Sequence, residues 1–198
     1  MCSSDLTLFG RSYKSPLAAA PTGFAGLLWR DGEVALARIA AAAGVPYTLS
    51  HGSLISVEEL AGKAGGELWF QLFIQPDRAQ SERMVARAQD AGCTTLMVTV
   101  DTPAPPNREY NQRNGFSYPF HYTPRNVLDV MSHPGWTVNV LLHLLLTHGG
   151  LPQPQNTPDR RSRPDDKTRL RPPGSVDWDD IRALRRQWTR PLLIKGLL

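Results

Sequence analysis

The chain has 198 residues, 41% hydrophobic and 20% charged, the balance of a globular protein of one large or two small domains. Its net charge of +4 would suit a nucleic-acid binder, but much of the excess falls in DRRSRPDDKTRLRPP, a mixed-sign, proline-rich loop with no aromatic residue to stack a base, so no nucleic-acid partner is expected. No apolar run approaches the roughly 20 residues that span a bilayer and no signal-peptide pattern opens the chain, so the expected compartment is cytoplasmic.

In chain order, SPLAAAP (residues 15–21) is a first strand candidate. DGEVALARIAAAAG follows as a helix, with Asp31 placed to cap it, Leu36, Ile39, Ala40 and Ala43 on one face, and Gly44 as the stop. VPYTLS is a second strand, and SVEELAGKAGG opens a helix with a capping box from Ser56 to Glu59. ELWFQLF is the third strand. Asp77 then precedes a helix through Met84, Val85 and Ala88 that stops at Gly92. Cys93 sits between that glycine and the fourth strand, TTLMVTV; far from Cys2, it is expected as a buried free thiol rather than a disulfide partner or metal ligand. After a long interruption, SVDWDDIRALRRQW gives a helix with Trp178, Ile181, Leu184 and Trp188 at helical spacing, and PLLIK is the fifth strand.

Strict alternation of strand and helix predicts right-handed crossovers and a parallel sheet, doubly wound or closed into a barrel. PTGFAG lacks the G-x-G-x-x-G spacing of a dinucleotide-binding turn, which disfavours the first. The strands deliver polar side chains at one end: Pro21-Thr22, Ser50, Gln71 with Phe73 two residues later, Thr99 and Lys195. A serine or threonine there is ordinary, whereas Gln and Lys at the ends of apolar strands are not explained by packing. In a parallel barrel those ends converge on the catalytic face. A full barrel needs eight strands and about 250 residues, so five strands imply an incomplete (β/α)8 barrel of the TIM type.

APTGFAGLLWRDGEVALARIAAAAGVPYTLS, ELWFQLF, TTLMVTVDTP, NREYNQRNGF and LLIKGLL, in that order, resemble the FMN-dependent α-hydroxy acid dehydrogenases and oxidases, and most of all the mandelate dehydrogenase branch. The resemblance implies a TIM barrel that oxidises a small L-2-hydroxy acid to a 2-oxo acid with FMN as electron acceptor. It places the backbone of Pro21, Thr22 and Gly23 against the flavin, Ser50 near its reactive edge, and Gln71 and Thr99 on its pyrimidine part. Lys195 would stabilise the negative charge of the reduced ring, and Arg108 would pair with the substrate carboxylate. Phe73 stands where many members carry a substrate-binding tyrosine.

The family's catalytic histidine, its second arginine and its phosphate-binding segment have no counterpart here. None of His51, His121, His133, His143 and His148 has the required context; His51 reads as a loop residue near the site. A family tyrosine upstream of the first strand is also missing. Residues 7–198 therefore read as a partial FMN hydroxy acid dehydrogenase domain with negligible turnover expected of it alone, and residues 1–6 (MCSSDL) as non-native sequence, the chain being cut at both ends. Residues 115–175 read as an insertion after the fourth strand, in which VNVLLHLLL is either a helix packed over the barrel mouth or, as in the mandelate dehydrogenase branch, part of a peripheral membrane contact through residues 136–150 on the inner face of the membrane. A homo-oligomer is expected for the intact enzyme. Two other readings stay open: a lyase using Lys195 as a Schiff-base nucleophile, and a non-catalytic truncated product.

Overall fold

The computed structural model describes residues 6–101, 108–116, 120, 122–156 and 176–197. The proline-rich loop and residues 1–5 lie outside the described residues. The elements are β1 (Leu6–Leu8), β2 (Arg11–Tyr13), α1 (Ala25–Leu28), α2 (Gly32–Ala43), β3 (Tyr47–Ser50), α3 (Val57–Ala64), β4 (Leu68–Phe73), α4 (Arg78–Asp90) and β5 (Thr95–Thr99). They continue through α5 (Glu109–Arg113), α6 (Pro124–Ser132), α7 (Pro134–Trp136), a π-helical turn (Thr137–Leu142), α8 (His143–His148), α9 (Trp178–Gln187) and β6 (Leu192–Lys195).

β3, β4, β5 and β6 form one parallel sheet in sequence order, the order of successive staves in a (β/α)8 barrel. Because side chains alternate along a strand, Leu49, Phe70, Leu72, Leu96 and Val98 all turn toward the helices. There they form the core with Val34, Leu60, Met84, Val85, Leu184 and Trp188. Phe70, Leu72, Leu96 and Val98 are wholly buried, each contributing about 1.5–3 kcal/mol of transfer free energy. Cys93 is a buried free thiol, its pKa pushed up to about 12 by that burial.

Three local expectations are corrected. Residues 15–21 make no strand, only a single bridge in which the Ala19 N–H donates to the Pro46 carbonyl and its carbonyl accepts from Thr48. Pro16 and Pro21 bracket the segment and have no N–H to give. On α2 the buried stripe is Val34, Ala37 and Ala40, while Leu36 and Ile39 are 43% and 66% exposed. The two stripes are neighbours at 3.6 periodicity, and small alanines let α2 lie close to α3. Asp31 caps nothing with its side chain; its carboxylate meets His143 Nε2 at 3.3 Å. Ser56 does accept the Glu59 N–H at 3.1 Å, whereas the Glu59 carboxylate turns to Lys63.

The β1–β2 hairpin, which the sequence reading did not assign, turns through Phe9 and Gly10, both at positive φ as a two-residue hairpin loop requires. It is held to the amino-terminal end of the sheet by Glu67, whose carboxylate accepts from Tyr13 Oη, Trp69 Nε1 and Thr94 Oγ1 at 2.8–2.9 Å. Burial pushes the Glu67 pKa up, but those hydrogen bonds and Arg11 outweigh it, so the carboxyl stays below its ordinary range.

α9 delivers the chain to β6. Asp177 and Asp180 close a reciprocal capping box at its start, and Asp180 also takes a bidentate pair from Arg78 on α4, both bonds 2.7 Å. Replacing Asp180 with alanine removes the ion pair and the returning half of the capping box, while the Asp177 cap remains, and should lower unfolding stability by about 2–4 kcal/mol, measured by denaturant titration; an unchanged midpoint would refute the role.

Candidate active site at the carboxyl ends of the strands

On the sheet face away from the helices, register brings the predicted polar residues together. Ser50 lies opposite Gln71, and Phe73, Thr99 and Lys195 form the next row. Ser50 Oγ donates to Gln71 Oε1 at 3.2 Å, and Gln71 Nε2 donates to Thr99 Oγ1 at 3.0 Å. The backbone N–H of His51 also donates to Gln71 Oε1, at 3.3 Å, which fixes the orientation of the carboxamide. All three side chains are buried. Since Thr99 Oγ1 accepts from Gln71, its own proton is directed elsewhere, and no acceptor for it is recorded among the described residues.

The β3–α3 turn and the segment before α1 close over this row. Phe24 N–H donates to the Gly52 carbonyl at 3.1 Å. A Cβ on Gly23 would stand 3.6 Å from that oxygen and 3.8 Å from Ser50 Oγ, so the Pro21–Gly23 backbone runs beside Ser50. Pro21 is half-buried and Thr22 exposed. The buried Glu33 carboxylate accepts the Leu54 N–H at 3.2 Å and holds the far side of the turn.

Lys195 Nζ meets Asp101 Oδ2 at 3.2 Å. Asp101 approaches so closely that a Cβ on Gly196, whose φ is +98°, would fall 2.4 Å from the Asp101 Cβ. Arg108 is exposed at the start of α5, and among the described residues no partner for its side chain is recorded; the structure does not bring it into contact with the row. The sequence reading missed Asp101, although it directly follows the strand in the quoted TTLMVTVDTP. It also gave no role to Ser53 or Asn156, for which no local pattern exists.

The segment after α6 folds back on α1 and the β3–α3 turn. Trp136 Nε1 donates to the Leu27 carbonyl at 2.7 Å, and Val140 and Leu144 pack on Leu54, with Phe24 and Leu27 alongside. One stripe of VNVLLHLLL is thus buried against α1 and that turn; its other stripe, Val138, Leu142 and Leu146, is exposed.

Comparison with known proteins agrees with this arrangement. An incomplete parallel β/α barrel with a polar row at the carboxyl ends of its strands has its candidate site where barrel enzymes carry theirs. The FMN-dependent dehydrogenase family model matches residues 1–198, and the chain belongs to that family. It is 37% identical to (S)-mandelate dehydrogenase of Pseudomonas putida over 96% of this chain and 48% of that protein. It is 36% identical to L-lactate dehydrogenase of Pseudomonas paraeruginosa over 99% of this chain and 51% of that one. A crystal structure of the monotopic membrane protein (S)-mandelate dehydrogenase superposes with a TM-score of 0.81 at 35% identity, covering 99% of this chain and 52% of that one. A mandelate oxidase mutant with (S)-mandelic acid superposes at 0.71 and 31% identity, covering 99% and 45%. The chain spans about half the length of the relatives it matches.

The residues present fit the ring of an FMN. The unspent Thr99 proton, oriented by the Ser50–Gln71 pair, and the Lys195 ammonium offer donors in one row, and the absent Gly23 side chain leaves room beside Ser50.

His51 is buried, its ring nitrogens without a hydrogen-bond partner among the described residues, against Phe70 and Phe73 at centroid distances of 6.4 and 6.3 Å. Burial, helped by the positive charge of Arg87, pushes its pKa down to about 4 from 6.5. The unfolded chain then binds this proton first, so stability is full above about pH 6.5 and falls as pH drops toward 4, by about 3 kcal/mol at most. His51→Leu should flatten that slope in melting temperatures taken across pH 4–7; an unaltered slope would show that the imidazole is not its source.

Proposed function

We propose that this chain carries the flavin-ring half of an FMN-dependent enzyme that oxidises a small L-2-hydroxy acid to the 2-oxo acid. The observation that supports this most is the Ser50–Gln71–Thr99 row beside Lys195, in a chain of the FMN-dependent dehydrogenase family. When bound, FMN supplies a two-electron acceptor. Thr99 would donate its free proton to a ring acceptor, Gln71 and Ser50 hold that hydroxyl in orientation, and Lys195 sets a fixed positive charge at the row's end. The Pro21–Gly23 backbone, beside Ser50, would lie against the ring. Arg108 is the proposed carboxylate anchor, reaching the substrate from an exposed position. Phe73 offers a bare ring to the substrate and no hydroxyl. The resemblance places the proton-accepting histidine outside this chain, so the chain alone should show negligible turnover.

The Schiff-base alternative gains nothing from the structure, because the Lys195 amine is already engaged by Asp101. Borohydride trapping with a carbonyl substrate should leave the chain unmodified.

Titrating the chain with FMN should give saturable quenching of flavin fluorescence. Thr99→Val should weaken it about fivefold to tenfold, the worth of one hydrogen bond, and Lys195→Met should weaken reduced FMN more than oxidised. No saturable quenching by the unaltered chain up to about millimolar FMN would overturn the proposal.

Peripheral membrane contact is the proposed role of the exposed stripe. Among the described residues no helix is long and apolar enough to cross a membrane. Val138, Leu142 and Leu146 nonetheless face outward from a segment packed on α1, whose end exposes Leu28 and Trp29. A partly buried amphipathic helix of this kind suits the headgroup boundary. Flotation with anionic liposomes at low salt should carry the protein upward, and Leu142→Glu with Leu146→Glu should abolish it; wild-type protein left at the bottom would refute the contact.

A further inference from the structure

Asn156, at the end of the excursion, is wholly buried and every polar valence of its side chain but one is spent on the β3–α3 turn. Its Oδ1 accepts the Val57 N–H at 3.0 Å, and its Nδ2 donates to the Ile55 carbonyl at 2.9 Å and to Ser53 Oγ at 3.3 Å. The two backbone partners, one donor and one acceptor, fix which end of the amide is which. The neighbouring Gln155 N–H adds a bond to the Ser53 carbonyl at 3.0 Å.

The Ser53 hydroxyl, accepting from Asn156, passes its own proton to the Ser50 carbonyl. A second series starts at the Ser50 side chain: its hydroxyl donates to Gln71, and Gln71 to Thr99. The two series meet only at the Ser50 backbone, so what passes from one to the other is position. Asn156, Ser53, Ser50, Gln71 and Thr99 are all buried, so water cannot substitute for a lost partner. Accepting from Gln71 leaves the Thr99 proton to be donated elsewhere.

We propose that Asn156 is a positioning residue for the flavin-edge row, fixing the Ser50 backbone through Ser53 and so the donor orientation of Thr99. The inference rests on the flavin reading for its function, and its physical content is a coupling between the excursion and the row. The chain that follows the apolar segment is therefore tied to the turn beside the row, while the segment itself packs on α1 and Leu54.

The test uses the unliganded chain first. Asn156→Asp keeps an acceptor for Val57 and loses both amide donors; Ser53→Ala interrupts the series and leaves the bonds to Val57 and Ile55 in place. Both should speed amide exchange across residues 50–57 at least tenfold and shift the Gln71 side-chain amide signals in NMR spectra, with exchange in α9 unchanged. Restriction of the change to residues 153–157, with Gln71 unmoved, would overturn the coupling. Should Asn156→Asp fail to fold, Ser53→Ala decides alone. FMN affinity is then measured, with a loss of about fivefold expected in each variant. If the unaltered chain binds no FMN, the flavin reading fails while the exchange and Gln71 signals still decide the coupling; if it binds and the variants bind equally well, the positioning role fails.

Discussion

Parallel pairing in register is the constraint on which everything else here depends. With strands β3 to β6 aligned so that Ser50 meets Gln71 and Thr99 meets Lys195, one choice of register sorts two populations of side chain at once. Leu49, Phe70, Leu72 and Val98 go to the helices, and Ser50, Gln71, Thr99 and Lys195 to the opposite face. A slip of one residue would bury the lysine among leucines and turn the core outward. The hydrophobic drive that makes the fold thus also positions the site, without a separate device for doing so.

Much of this was legible in the sequence because it depends on local patterns. Gly44 and Gly92 end their helices, Asp77 begins its own, and the polar residue at the end of each apolar strand announces a common face. What escaped depends on pairing between distant segments. Nothing local tells whether α2 buries Leu36 or Ala37, since both stripes satisfy helical periodicity. Nothing near Asn156 reveals that its amide closes on a turn 99 to 103 residues earlier. Arg108 shows the converse: the family resemblance gives it a role that its exposed position at the start of α5 does not itself suggest.

Two charged or ionisable groups at the mouth are handled differently. Lys195 keeps its ammonium at the rim, paired with Asp101 and still half exposed, so its charge remains available at modest desolvation cost. His51 is sealed among aromatic rings and held neutral. The first arrangement keeps an electrostatic resource near the row; the second spends stability at acid pH to fill space beside Phe73. Between them the buried relay of amides and hydroxyls carries orientation without carrying net charge.

At the opposite end of the sheet, Glu67 gathers Tyr13, Trp69, Thr94 and Arg11 around one carboxylate. It binds the hairpin, β4 and the turn after α4 at a place remote from the polar row. Robustness and chemistry are thereby carried by different ends of the same strands. Under the proposed function that separation is an opening to adaptation: residues of the polar row can change while the lower carboxylate keeps the strands in place.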